Sequence, residues 1–190
     1  MASAFVFHQN LGKLGKGNKW LSNFKRLYGF RGFLELLMVE VFKDLLPIFI
    51  GGWLLGIKGH ADAGRAFAMF CIVLGRLYPA NSEFKGSHAS FALAIGTLTL
   101  NTSTGGAALV VMLLVSWFSR YLSLGAVAEA AITMMVAVLV VDDDLILRLI
   151  VFTSLLIIFK HIPALVRIIK GREYRFSLEE DITYKFDQRF

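Results

Sequence analysis

Cysteine is almost missing from this 190-residue chain. Its one thiol, Cys71, lies inside an apolar run. A single cysteine excludes an intrachain disulfide, and small core filler is the plainest role for it. No Cys/His group has metal-ligand spacing, and there is neither a G-x-S-x-G elbow nor a Walker loop. No acid is clearly placed to orient His161. These gaps argue against a metalloenzyme and against a triad hydrolase. Acidic residues are scarce as well, 14 against 20 Lys and Arg, and none falls within residues 1–31. The opening MASAFVFHQN has no basic region ahead of its few apolar residues, so it does not read as a cleavable signal peptide. Insertion into a membrane is then expected to rely on internal helices.

What the chain has in excess is apolar surface. Hydrophobic residues make up 56% of it, above the roughly 45–50% of an ordinary soluble domain. The fold class this implies is all-α, a polytopic integral membrane bundle. Spans are expected near 33–57, 62–79, 126–141 and 144–160, each close to the roughly 20 residues that cross lipid. The run 91–118 carries no charge but holds NTSTGG at its centre, and fits one helix or two.

Charge parity chooses between them. Lys13, Lys16, Lys19, Lys25, Arg26 and Arg31 crowd the N-terminal segment, and Lys160, Arg167, Lys170, Arg172 and Arg175 follow the last span. Both ends therefore belong on the cytoplasmic side. An even number of crossings is needed, so 91–118 is counted twice, giving six helices with NTSTGG as an outer loop. The chain then divides into a cytoplasmic segment 1–32, a bundle 33–160 and a cytoplasmic tail 161–190. Aromatics accompany the basic residues but sit in lipid-facing runs, so nucleic acid is not an expected partner.

Charges also occur inside the first span. Glu40, Lys43 and Asp44 in ELLMVEVFKDLLP share one helical face. Counted from a helix start near residue 33, Lys43 falls close to mid-bilayer. Such groups face the bundle interior or a wet cavity, as a structural Glu40/Lys43 pair or as part of a site. Glu129 and Arg148 fall near opposite membrane faces and are not expected to pair, and Arg148 can reach toward the DDD at 142–144.

The inner segments would bring together Asn18, Ser22, Asn23 and Arg26 from GKGNKWLSNFKR, and Lys85, Gly86, Ser87 and His88 from RLYPANSEFKGSHASF. They add Ser123 from SRYLSLG, and His161 and Arg167 from KHIPALVR. Glycines admit backbone N–H groups to an anion, and cations and hydroxyls complete a cradle. This is an inventory for handling phosphate.

At these residues the chain resembles the bacterial acyl-phosphate:glycerol-3-phosphate acyltransferases, small inner-membrane enzymes of phospholipid synthesis. Their motif G-S-G-N-x-G-A-T-N-x-x-R is matched by Gly15, Gly17, Asn18, Asn23 and Arg26, with Ser22 for threonine. D-x-x-K-G-x-x-P is matched by Glu40, Lys43 and Pro47. G-H-x-x-P and F-K-G-G-K-G are matched by Gly75, Pro79 and the FKG at 84–86. R-Y-x-S-L-G matches residues 120–125, and H-x-x-N-I-x-R-L-x-x-G-x-E is matched by His161, Arg167, Gly171 and Glu173. Departures are Lys16, Trp20, Arg76 at the motif histidine, Ser87, His88, Ala89 and Ala164.

The resemblance implies transfer of a fatty acyl group from acyl phosphate to glycerol 3-phosphate, giving lysophosphatidate, without a cofactor or metal. It implies catalytic roles for His161, Lys85 and Ser123. Asn18, Ser22, Asn23, Arg26, Gly86, Ser87, His88, Arg167 and Glu173 would bind the phosphates. Two other readings stay open: a family member without catalysis that binds or assembles in the membrane, motivated by Lys16, Arg76, His88 and Ala164, and a small-solute transporter built on the Glu40/Lys43 face.

Overall fold

The computed structural model describes residues 21–79 and 89–172. Side chains are described from Arg31 onward, apart from those of residues 32, 33 and 36. The described residues form six helices: α1 (Leu21–Gly56), α2 (Ala61–Leu77), α3 (Ser90–Leu100), α4 (Thr102–Ser119), α5 (Leu122–Val140) and α6 (Asp144–Ile169). No strand occurs among them. Three helices, α4, α5 and α6, are long and apolar enough to cross a membrane. The chain separates into two compact units, one of residues 1–38 with 174–190 and one of residues 39–173. Everything below concerns the second unit unless stated.

The 91–118 run does divide, but the break is narrower than the sequence suggests. Asn101 alone, in extended conformation, separates α3 from α4, and its side chain accepts a hydrogen bond from the Thr104 amide at 3.0 Å. That cap satisfies one of the orphan N–H groups that open a helix. NTSTGG is therefore not an outer loop, because its last five residues are the first turns of α4. With 11 residues, α3 is about 16 Å long and too short to cross on its own.

Other boundaries move for similar reasons. The turn expected at 119–125 shrinks to Arg120 and Tyr121, with Arg120 in left-handed conformation (φ 59°) closing α4. Ser123 thus lies in the first turn of α5. Helix α6, capped by the Asp143 side chain on the Ile146 amide, runs through Pro163 to Ile169. The tail expected from residue 161 begins as helix, and α1 is already helical from Leu21, inside the segment expected at 1–32.

Side-chain contacts fix the relative directions. Arg76 reaches Glu40 and Asp44 near one end of α2, while Gly51 and Gly64 meet nearer the other, so α1 and α2 are antiparallel. At Gly64 an added Cβ would run into the Gly51 carbonyl oxygen, so the two backbones approach as closely as they do only because both residues lack side chains. Met69 packs against Gly96 and Leu98 against Gly105, making α2, α3 and α4 successively antiparallel. Ser116 packs against Gly125, continuing the alternation into α5.

Helix α6 closes the set against α2. Phe70 meets Phe152 with ring centroids 5.8 Å apart. Eight residues further along each helix, Tyr78 meets Lys160, so α2 and α6 run parallel. The core between them holds Ile48, Met69, Val73, Leu93, Ile150 and Ile157. Outward faces carry Phe42, Trp53, Phe118 and Leu139, each well over half exposed, as a surface in contact with lipid tails requires.

Candidate active site

Strict alternation of helix direction has a consequence for the polar groups. The C-terminal end of α2, the start of α3, the α4–α5 turn and residues 160–161 of α6 all lie at one end of the unit. Leu98 opposite Gly105 puts Ser90 roughly level with Leu113, so α4 extends about 9 Å beyond Ser90 toward the end that carries Tyr78, Ser123, Lys160 and His161.

A buried ion cluster closes this end between α1 and α2. Arg76 Nη2 donates to Glu40 Oε2 at 2.7 Å and to Asp44 Oδ1 at 2.5 Å. The arginine side chain is 12% exposed and that of Asp44 fully buried. Lys43 Nζ donates to both Glu40 oxygens at 3.3 Å and is itself 60% exposed. The shared face of Glu40, Lys43 and Asp44 was legible from their spacing. Their partner Arg76 was not, although a lone arginine in an apolar helix, against a face with two acids, was a signal. Arg76 is one residue from the end of α2, so Glu40, Lys43 and Asp44 lie level with the last turns of that helix. Removing one member of a buried pair typically costs about 3–5 kcal/mol, because the other is left uncompensated.

Two further contacts define the end. Lys160 Nζ sits 4.4 Å from the centroid of the Tyr78 ring, a cation–π contact joining α2 to α6. His161 Nδ1 lies 2.8 Å from the Ile157 carbonyl oxygen, one turn back on its own helix. A carbonyl only accepts, so Nδ1 carries the proton and Nε2 is the basic nitrogen of the neutral ring. At this end Tyr78 was not singled out by the sequence, and Lys160 and Arg120 entered it only as a terminal charge and as part of a matched motif.

The candidate residues divide as follows. Ser123 and His161 are brought to the same end, both half-buried, and Arg167 lies further along α6, exposed. Ser22, Asn23 and Arg26 lie in the first two turns of α1, in the other unit. Asn18, Lys85, Gly86, Ser87, His88 and Glu173 fall outside the described residues. No group of three or more His, Cys, Asp or Glu able to hold a metal occurs among the described residues. Away from this end, Arg148 pairs with Asp144 in the first turn of α6, while Glu129 is fully buried in α5, less than two turns beyond Ser123.

Fold and site together define an integral membrane helical protein with a cationic, hydroxyl-bearing end. Comparison with known proteins gives the family. The profile described as glycerol-3-phosphate acyltransferase matches residues 1–171. The glycerol-3-phosphate acyltransferase of Paraburkholderia xenovorans (strain LB400) is 30% identical over 161 residues, 85% of this chain and 75% of that protein. That of Staphylococcus aureus (strain Newman) is 26% identical over 175 residues, 88% and 84% of the two chains. The fold is similar to the crystal structure of PlsY (YgiH), an integral membrane glycerol 3-phosphate acyltransferase, in its glycerol 3-phosphate form. The TM-score is 0.72 at 24% identity, over 93% of this chain and 86% of that one. The lysophosphatidic acid form of the same enzyme matches with a TM-score of 0.68 at 22% identity, over 84% and 80%. This chain belongs to the glycerol-3-phosphate acyltransferase family.

Proposed function

We propose that this membrane acyltransferase takes its acyl group from acyl phosphate and delivers it to the sn-1 hydroxyl of glycerol 3-phosphate, at a site on the cytoplasmic side of a bacterial inner membrane. Family membership carries the reaction class, glycerol 3-phosphate to lysophosphatidate. The excess of Lys and Arg in the N-terminal segment and after α6 supports the cytoplasmic orientation.

The observation that carries the mechanism is the gathering of Tyr78, Ser123, Lys160 and His161 at one end of antiparallel helices. An acyl phosphate is already activated, so no covalent nucleophile is required of the protein. The glycerol hydroxyl oxygen forms the new ester bond to the acyl carbon, and the carbon–oxygen bond to phosphate breaks. The hydroxyl proton goes to the departing phosphate. The protein's tasks are to neutralise two phosphates, to align hydroxyl with carbonyl, and to leave the acyl chain among lipid-facing helices. Lys85, Arg26, Arg167 and His161 are suited to the first task, and Ser123 and Asn18 to the second. Ser22, Asn23, Gly86, Ser87, His88 and Glu173 complete the proposed phosphate contacts.

The test uses purified full-length protein with acyl phosphate and glycerol 3-phosphate. Lysophosphatidate and inorganic phosphate should appear in equal amounts, and Lys85→Ala should abolish both. No product above a control without enzyme would overturn this reading, in favour of a family member that binds without turnover.

A further inference from the structure

Two positions at which this chain departs from the motifs matched above touch each other. D-x-x-K-G-x-x-P, laid on EVFKDLLP, sets Glu40, Lys43 and Pro47 at its fixed positions and Asp44 at the glycine. G-H-x-x-P, laid on GRLYP, sets Arg76 at the histidine. The two segments are on different helices, and the structure joins them through Arg76 Nη2 and Asp44 Oδ1 at 2.5 Å. An aspartate alone at the first position would be a fully buried charge; an arginine alone at the second would keep only Glu40, which Lys43 also holds. Each change by itself leaves a buried charge less well compensated, and each supplies an opposite charge to the other.

We propose that Asp44 and Arg76 are one exchanged unit, and that Arg76 is a positioning residue for the anion-binding end of the enzyme. The proposal rests on the acyltransferase reading above. Its physical route is a chain of contacts. Arg76 spans Glu40 and Asp44, one turn apart on α1, donating to both from Nη2, and so ties the last turn of α2 to them. Tyr78 follows two residues later and holds the Lys160 ammonium over its ring, and His161 is the next residue of α6. Where the last turn of α2 stands therefore sets where the α6 cation and imidazole stand. Glu40 is shared between Arg76 and Lys43, so moving Arg76 also changes the charge that Lys43 meets. Arg76 itself need not touch substrate.

The experiment compares full-length wild type with Asp44→Gly, Arg76→His, the double variant and Arg76→Lys, in steady-state kinetics and in glycerol 3-phosphate binding. Each of the first two single changes should raise the KM for glycerol 3-phosphate about tenfold with kcat within about threefold, and the double variant should return KM to within about threefold of wild type. Arg76→Lys should fall between, since it keeps the charge but not the length and shape that place Nη2 between the two carboxylates. A merely structural role would reduce the active fraction, lowering apparent kcat and leaving KM unchanged; that result would overturn the proposal. So would a double variant whose KM is the product of the two single effects. If either of the first two singles does not yield folded protein, Asp44→Asn and Arg76→Lys carry the same comparison. Wild type that binds glycerol 3-phosphate without turnover would refute the functional reading alone, and the dissociation constants would then decide the pair by the same criteria. Wild type that does neither would refute both.

Discussion

Tyr78 and Lys160 join the last turn of α2 to α6, with the ammonium 4.4 Å from the ring centroid. Because Phe70 and Phe152 meet eight residues earlier on the same two helices, this contact is the far end of a parallel helix pair rather than an isolated surface encounter. Its attraction is to the face of the ring, not to the hydroxyl. Tyr78→Phe is expected to keep the thermal midpoint of wild type, whereas Tyr78→Leu should lose about 0.5–2 kcal/mol. Equal loss in both variants, in thermal unfolding of the detergent-solubilised protein, would show that the hydroxyl and not the ring face matters.

His161 offers a second measurement. Its Nδ1 proton is held by the Ile157 carbonyl, which fixes the ring plane and leaves Nε2 as the basic nitrogen of the neutral form. His161→Ala should lower kcat/KM about 100-fold or more, within the range seen when a positioned acid–base or phosphate-binding side chain is lost. His161→Gln, which keeps a donor amide, should retain more activity than alanine if the ring serves as a clamp. Equal loss in both would favour proton transfer by the ring.

Gly125 is where α4 and α5 come closest near the site. A Cβ there would collide with Ser116 Oγ and lie 2.9 Å from the Met112 carbonyl oxygen. The serine can rotate away but the carbonyl belongs to helix backbone, so the crowding cannot be relieved by a rotamer change alone. Gly125→Val is expected to destabilise by about 1–3 kcal/mol. Adding Ser116→Ala should recover only part of that loss, as read by the thermal midpoint.

Glu129 is fully buried on α5, and the backbone of Ala94 approaches it without giving either carboxyl oxygen a hydrogen bond of normal geometry among the described residues. Thr133, one turn along the same helix, and Ser154 on α6 are likewise buried with no hydroxyl partner found among those residues. A carboxyl enclosed this way opposes folding. Glu129→Gln and Glu129→Met should therefore raise the thermal midpoint, by the equivalent of about 1–3 kcal/mol, with kcat/KM unchanged. Destabilisation by both would show that the carboxyl meets a partner in the folded enzyme.

That 91–118 divides into two helices agrees with the expectation, but the two crossings that charge parity asked of it are not what the structure shows, since α3 has only 11 residues. The position of the break was not legible. NTSTGG has the composition of a loop, yet Asn101 by itself supplies the extended residue and the side-chain acceptor that start α4, and nothing further is needed to turn the chain. The reach of α6 to Ile169 was missed because Pro163 and the basic residues around it look like a helix end. The i, i+3 and i, i+4 spacing exposed the shared face of Glu40, Lys43 and Asp44, since spacing along one helix is local. In the sequence Arg76 is visible only as a departure from a motif, because its partners lie on another helix.

By itself the sequence determined that this is a bundle of membrane helices with a phosphate-handling inventory and a family likeness. Apolar run length, net charge at the two ends and residue types within a motif are properties of the chain taken a few residues at a time. Only the tertiary structure decided that α2 packs against α6, with Tyr78 over Lys160 and Phe70 against Phe152. It also decided that two carboxylates of α1 hold Arg76. Those facts depend on which helix faces meet, and that is fixed by close packing at Gly64 and Gly125 and by the need of each buried charge for an opposite one.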